Sequence, residues 1–207
     1  LQRVGADSGN FQKIRHIMPM GSQEKAANPQ AFLAWAKNHA YDEYLVEYKL
    51  DGASLELQYS HGELIRAVTR GDGTIGDDIT ANAKKMQGVK IALFDGANNK
   101  IDFTGAVRGE VIMTHTVHQK FYADKANCRN AANGLMKRKD GSGSENLCLM
   151  TYDALATEGE SPFFDEEGKI NWLKSCGFNT SPLKICKSPD EVIEYRAEVM
   201  ETRKNQN

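Results

Sequence analysis

Long apolar runs are missing from this chain, and so is any strong excess of one charge. Hydrophobic side chains make up 40% of its 207 residues and charged ones 26%, the proportions of an ordinary globular protein. No stretch approaches the roughly 20 apolar residues that a membrane-spanning helix needs, so no membrane partner is expected. The leading residues lack the basic-then-apolar pattern of a secretion signal, and a cytoplasmic protein is expected. Net charge is only -2, so contact with nucleic acid would need a local basic patch. Cysteines number four and form no C-x-x-C pair; reduced thiols are expected, and a zinc site is not. His115 and His118 have helical spacing but no nearby acid to complete a ligand set, so no metal ligand is assigned. Internal repeats and low-complexity tracts are also lacking, and the length suits one generous domain or one and a half small ones.

What is present reads as hairpins followed by helices. Asn28 before Pro29 is a helix start, and Phe32, Leu33 and Trp35 give the apolar side of a helix over about 29–39. A strand carrying Lys49 follows. Leu55, Leu57 and Tyr59 alternate up to a turn at Ser60-His61-Gly62, and a return strand runs from Glu63 to Arg70. Gly71 to Gly76 reads as a tight loop, followed by a short helix through about Lys85. Strands are predicted around 101–113 and 146–155, with helices around 115–126 and 128–138 between them. Two helices follow, one from about Asp165 to Cys176 and one opened by the capping box Ser188-Pro189-Asp190-Glu191. The fold class expected is α+β, with a mainly antiparallel sheet and flanking helices. The first ten residues read as a loosely held lead-in.

Four stretches carry chemistry. In Glu47-Tyr48-Lys49-Leu50-Asp51-Gly52, strand alternation would put Glu47, Lys49 and Asp51 on one face and Tyr44, Val46, Tyr48 and Leu50 on the other. The even-numbered face reads as core, and Gly52 admits a close backbone or ligand. A lysine is a weak nucleophile while protonated, and its flanking acids favour that form. The alternative is a solvated strand with cross-strand ion pairs. Thr69 to Asp78 sets Arg70 beside a glycine-rich loop whose N–H groups and guanidinium suit a phosphate or a ribose edge, though an ordinary turn would look the same. Val107-Arg108-Gly109-Glu110-Val111 alternates an apolar with a charged face, and Glu110 could accept both ribose hydroxyls; an edge strand is the alternative. Arg129, Lys137, Arg138 and Lys139 place four cations within eleven residues, which suits a nucleic-acid backbone or a solvated helix face.

Taken in order, these stretches resemble the adenylation (nucleotidyltransferase) domain of NAD-dependent DNA ligases. The K-L-D-G run, the Thr69–Asn82 stretch, R-G-E at 108–110, R-N-A-A-x-G at 129–134 and His16–Ser22 all look like that family. The resemblance implies an ATP-grasp-like ligase adenylation fold. In it Lys49 would attack the α-phosphorus of NAD, expel nicotinamide mononucleotide and hold AMP as a phosphoramidate. AMP would pass to the 5′-phosphate of nicked double-stranded DNA, which the 3′-hydroxyl then seals.

Roles follow residue by residue. Asp51 would orient Lys49 or the sealing-step phosphate, Glu47 would contact adenine, and Arg70 and Glu110 would lie at the sugar. Ser22 and Gln23 match a backbone segment near the nucleotide, Gly52 closes its floor, and Arg129 and Lys137 would face DNA phosphates. Mg2+ is expected from the same resemblance, without assigned protein ligands.

The sequence also departs from the family. Gly21 and Gln23 stand where leucine is usual, and Lys137 stands for an arginine, losing the bidentate fork. The chain is expected to be a partial adenylation domain, 1–207. On the resemblance it is expected to lack the N-terminal module for nicotinamide mononucleotide, the last two lysine-bearing strands, and the OB, zinc, helix-hairpin-helix and BRCT parts. Alternatives are a non-catalytic or split-subunit binding module needing a partner chain, and an ATP-dependent ligase or capping-type nucleotidyltransferase. The R-G-D-G loop and R-N-A-A helix argue against the last.

Overall fold

The computed structural model describes residues 11–21, 24–39 and 41–205. The lead-in and the candidate contacts Ser22 and Gln23 lie outside the described residues. In chain order the elements are β1 (Lys13–Arg15), α1 (Pro29–Asn38), β2 (Tyr44–Glu47), β3 (Ala53–Ser60), β4 (Glu63–Thr69), β5 (Ile75–Asp77) and α2 (Thr80–Ala83). After them come β6 (Gly105–Ile112), α3 (His115–Phe121), α4 (Cys128–Leu135), β7 (Cys148–Ala156), α5 (Glu166–Ser175), β8 (Leu183–Cys186) and α6 (Pro189–Asn205). They form two compact units. The larger holds residues up to Gly21 and Lys49–Ser181; the smaller holds the segment ending at Tyr48 and the chain from Pro182 onward.

The larger unit is built on an antiparallel sheet of order β4-β3-β6-β7, as the α+β reading expects. The β3–β4 turn has His61 and Gly62 at φ 49 and 76 degrees, the two positive values that a two-residue hairpin of this twist requires. Leu55, Leu57, Tyr59, Val107 and Val111 are buried on one face. α4 packs on β3 and β6 with Ala131, Ala132 and Leu135 buried. α5 packs on β7 with Ile170 and Leu173 buried, and Asp165 caps it by accepting from the Gly168 N–H at 2.7 Å.

The glycine-rich loop is shorter than expected. Asp72 Oδ1 accepts from the N–H groups of Thr74 and Ile75, both at 2.8 Å, which ends the turn early. Ile75–Asp77 is thereby left to pair with Lys13–Arg15, a ribbon locked by Lys13 and Asp77 at 2.7 Å. No local pattern could announce a partner so distant in sequence. Strand β6 starts at Gly105, later than predicted, because the residues before it pair with another loop, the Ile101 N–H donating to Leu93 O at 3.0 Å. Helix α4 stops at Leu135, where the chain tightens into a turn with the Arg138 N–H donating to Leu135 O at 3.1 Å, and Asn82 holds that turn. Its Nδ2 donates to Met136 O at 2.9 Å and to Arg138 O at 2.7 Å.

In the smaller unit, Asn28 caps α1 by accepting from the Ala31 N–H at 2.8 Å. Phe32 and Trp35 stack at 5.8 Å, and Phe32 meets Tyr44 edge-on at 6.1 Å. Strand β2 pairs with the unforeseen β8, Tyr44 against Cys186 through Glu47 against Leu183. The capping box at α6 is displaced by one residue: Glu191 accepts from the Lys187 N–H at 2.7 Å, while its own N–H donates to Ser188 Oγ at 3.2 Å.

Candidate functional site

Lys49 does not lie on a strand. β2 ends at Glu47, where its pairing with β8 runs out, and β3 begins only at Ala53. The alternation expected through this run fails accordingly, and Tyr48, placed on the buried face by the sequence, is 44% exposed. Lys49 is exposed on an extended connector in the larger unit, and Glu47 belongs to the smaller unit.

The connector is seated by Gly52. A Cβ at this position would lie 2.2 Å from the Val111 carbonyl oxygen and 3.0 Å from Glu110 Cγ, so only glycine lets the chain run this close to β6. The approach brings Gly52 against Glu110 and Lys49 near enough for its charge to act on that carboxyl. Ser54 faces Glu110 across the β3–β6 ladder and donates from Oγ to its Oε2 at 3.0 Å.

Burial pushes the half-buried Glu110 carboxyl above the ordinary range. The Ser54 hydroxyl, the Gly52 N–H and the charges of Lys49 and Arg129 oppose that rise without cancelling it. Tyr152 nearby is pushed up to about 12, first by burial and then by the Glu110 charge. From the first turn of α4, Arg129 Nη1 reaches Asp51 Oδ1 at 3.4 Å. Of the sequence candidates, Lys49, Asp51, Gly52, Glu110 and Arg129 therefore converge. Arg70 lies exposed just past β4, and Lys137 lies half-buried just past α4 in the turn held by Asn82.

Sequence reasoning missed a second layer on the same sheet face. Antiparallel register sets Ser54 opposite Glu110 and Glu56 opposite Arg108. Glu56 is fully buried. Its oxygens accept from the N–H groups of Ile17 and Met18, both at 2.9 Å, and from Gln58 Nε2 at 2.8 Å. Burial pushes its carboxyl up, but His16, Gln58 and these two amides together hold it below the ordinary range. Arg108 donates to Met18 O and to Pro19 O. The polar positions of β3 look solvent-facing in the sequence because the segment that covers them lies some forty residues earlier.

The chain has recognisable relatives. The family profile described as NAD-dependent DNA ligase adenylation domain matches residues 8–207. A DNA ligase of Treponema denticola is 55% identical over 202 residues, covering 93% of this chain and 31% of that protein. One from Treponema pallidum is 46% identical over 212 residues, covering 98% of this chain and 26% of that protein. A third, from Bradyrhizobium sp. strain BTAi1, is 36% identical, with 98% and 31% covered. The chain thus spans about a third or less of the length of these relatives.

Proposed function

Because this chain belongs to the NAD-dependent DNA ligase adenylation-domain family, we propose that Lys49 is the nucleophile that takes AMP from NAD. Its deprotonated Nζ attacks the α-phosphorus, a phosphorus–nitrogen bond forms, and nicotinamide mononucleotide leaves with the electron pair of the broken phosphoanhydride. The AMP then passes to the 5′-phosphate of a nick in double-stranded DNA. The observation that supports this reading best is the convergence of Lys49, Gly52 and Glu110, joined by Arg129 through Asp51.

Glu110, with Ser54 fixing one of its oxygens, offers a carboxylate acceptor for ribose hydroxyls. The family resemblance assigns Arg70 to the same sugar and Glu47 to the adenine. Arg129 and Lys137 face DNA phosphates, and Asp51, paired with Arg129, orients Lys49 or the phosphate of the sealing step. Mg2+ would enter with the phosphates of the nucleotide, which supply most of its ligands, and no protein ligand is assigned to it. Lys49 acquires its full reactivity when further parts of a complete ligase, on the same or a second chain, add cations beside it. Alone, the 207-residue chain is expected to adenylate itself weakly.

The test uses NAD labelled in its adenylate half, followed by peptide mapping. The chain is assayed alone and with a second polypeptide supplying the remaining ligase parts. Label on Lys49, faint alone and strong in the mixture, is the expected result, and Lys49→Ala should abolish it. Label absent from Lys49 in both samples would sink the proposal.

A further inference from the structure

A carboxylate without solvent contact is costly unless its oxygens are filled. Glu56 fills them with the main chain of one segment: the N–H groups of Ile17 and Met18, with Gln58 Nε2 as a third donor and His16 Nδ1 at 3.4 Å. Opposite it on β6, Arg108 takes the carbonyls of Met18 and Pro19. Two neighbouring strands thus grip consecutive peptide units of this segment, one through N–H groups and one through C=O groups. Main-chain contacts of this kind fix where a segment runs and leave its side chains free to vary.

The grip extends to the Arg70 loop. His16 Nε2 lies 3.1 Å from the Arg70 carbonyl oxygen, the His16 N–H donates to Thr74 O at 2.9 Å, and the Met20 N–H donates to Gly73 O at 2.7 Å. Glu56 is therefore joined through His16 to one wall that carries Arg70. It is also joined through Met18 to the segment that runs on to Gly21. Glu110, which holds the opposite end of the same polar face, shares the β3–β6 ladder with it.

We infer that Glu56, with Arg108, is a positioning residue that sets the His16–Gly21 segment and the Arg70 loop at the right distance from Glu110 to receive an adenine nucleotide. This rests on the function proposed above. Glu56 touches no reacting atom in that scheme; it acts through the backbone it holds.

The experiment titrates NAD into the wild-type chain and into Glu56→Gln by calorimetry, with circular dichroism and backbone hydrogen exchange on both. The amide of glutamine cannot accept from both Ile17 and Met18. Affinity should fall by about tenfold at unchanged stoichiometry, with exchange rising at Ile17–Met20 and Gly73 and unchanged within β3 and β6. A general folding defect would lower the stoichiometry and leave the affinity of the folded fraction intact. If Glu56→Gln does not fold, Arg108→Lys decides. It keeps the charge but loses the fork that spans two carbonyls, and it should weaken NAD severalfold. Wild-type binding that the folded variant leaves unchanged overturns the inference alone. No NAD binding by the wild-type chain, either alone or with the polypeptide supplying the remaining ligase parts, overturns the proposed function and this inference with it.

Discussion

Arg129 pairs with Asp51 at 3.4 Å, which ties the first turn of α4 to the connector that carries Lys49. Both side chains are well exposed, at 59% and 79%, so the pair adds at most about 1 kcal/mol to stability. Its value lies in aiming a guanidinium. Arg129→Ala should leave the unfolding midpoint nearly unchanged while weakening binding to nicked duplex DNA of every sequence. The slope of log affinity against log salt should drop by about 0.9 for the one lost phosphate contact. An unchanged slope would place Arg129 away from DNA.

Gly52 leaves no room for a side chain. In Gly52→Ala the new methyl would fall 2.2 Å from the Val111 carbonyl oxygen, and backbone cannot swing aside as a side chain can. A loss of about 1–3 kcal/mol is expected in urea unfolding, the cost of overpacking. Labelling of Lys49 should fall by more than the unfolded fraction explains, because the connector must lift from β6.

Glu110 gives a signed pH dependence. Burial raises its carboxyl above the ordinary range, so the folded chain holds a proton that the unfolded chain has already released. Its contribution to stability therefore declines as pH rises from the ordinary carboxylate range through the raised value. Glu110→Gln should melt above the wild type at about pH 7, and the difference should close below about pH 4, where the carboxyl is protonated in the folded and the unfolded chain alike. Thermal unfolding across that range checks it, and a variant that melts lower at neutral pH would contradict the burial argument.

Asn82 closes the turn that carries the basic patch. Asn82→Ala leaves the Met136 and Arg138 carbonyls without their donor and should cost about 1–3 kcal/mol. Hydrogen exchange should quicken around 136–141 before it does in the sheet. DNA binding should weaken as well, because Lys137, Arg138 and Lys139 sit on that turn.

Local chemistry made much of this legible from residues alone. Asn28 before Pro29 and the Ser188–Glu191 box announce helix starts because a cap and its N–H lie within four residues. The hairpin at His61-Gly62 and the charged face of β6 follow from alternation over a few positions. Pairings that depend on remote segments were hidden. β1 and β8 are short, and each acquires strand geometry only from a partner far away in the chain. The same cause misplaced Lys49: Tyr48 and Leu50 continue a strand-like alternation, but the partner strand ends opposite Glu47. Glu56 was overlooked because a lone acid between Leu55 and Leu57 is normally a solvated one.

The four-stranded sheet is drawn from one continuous stretch between Ala53 and Ala156, whereas the β2–β8 ribbon joins residues on either side of that stretch. In an unfolded chain, closing so long a loop carries an entropic cost for only four paired positions. Prior formation of the sheet shortens the effective loop, so the ribbon is expected to zip second, which stopped-flow refolding of the two units checks. Substitutions that slow the sheet will delay the refolding of both units. Those confined to the ribbon will leave the larger unit's rate untouched, so the smaller unit reports on the larger but not the reverse.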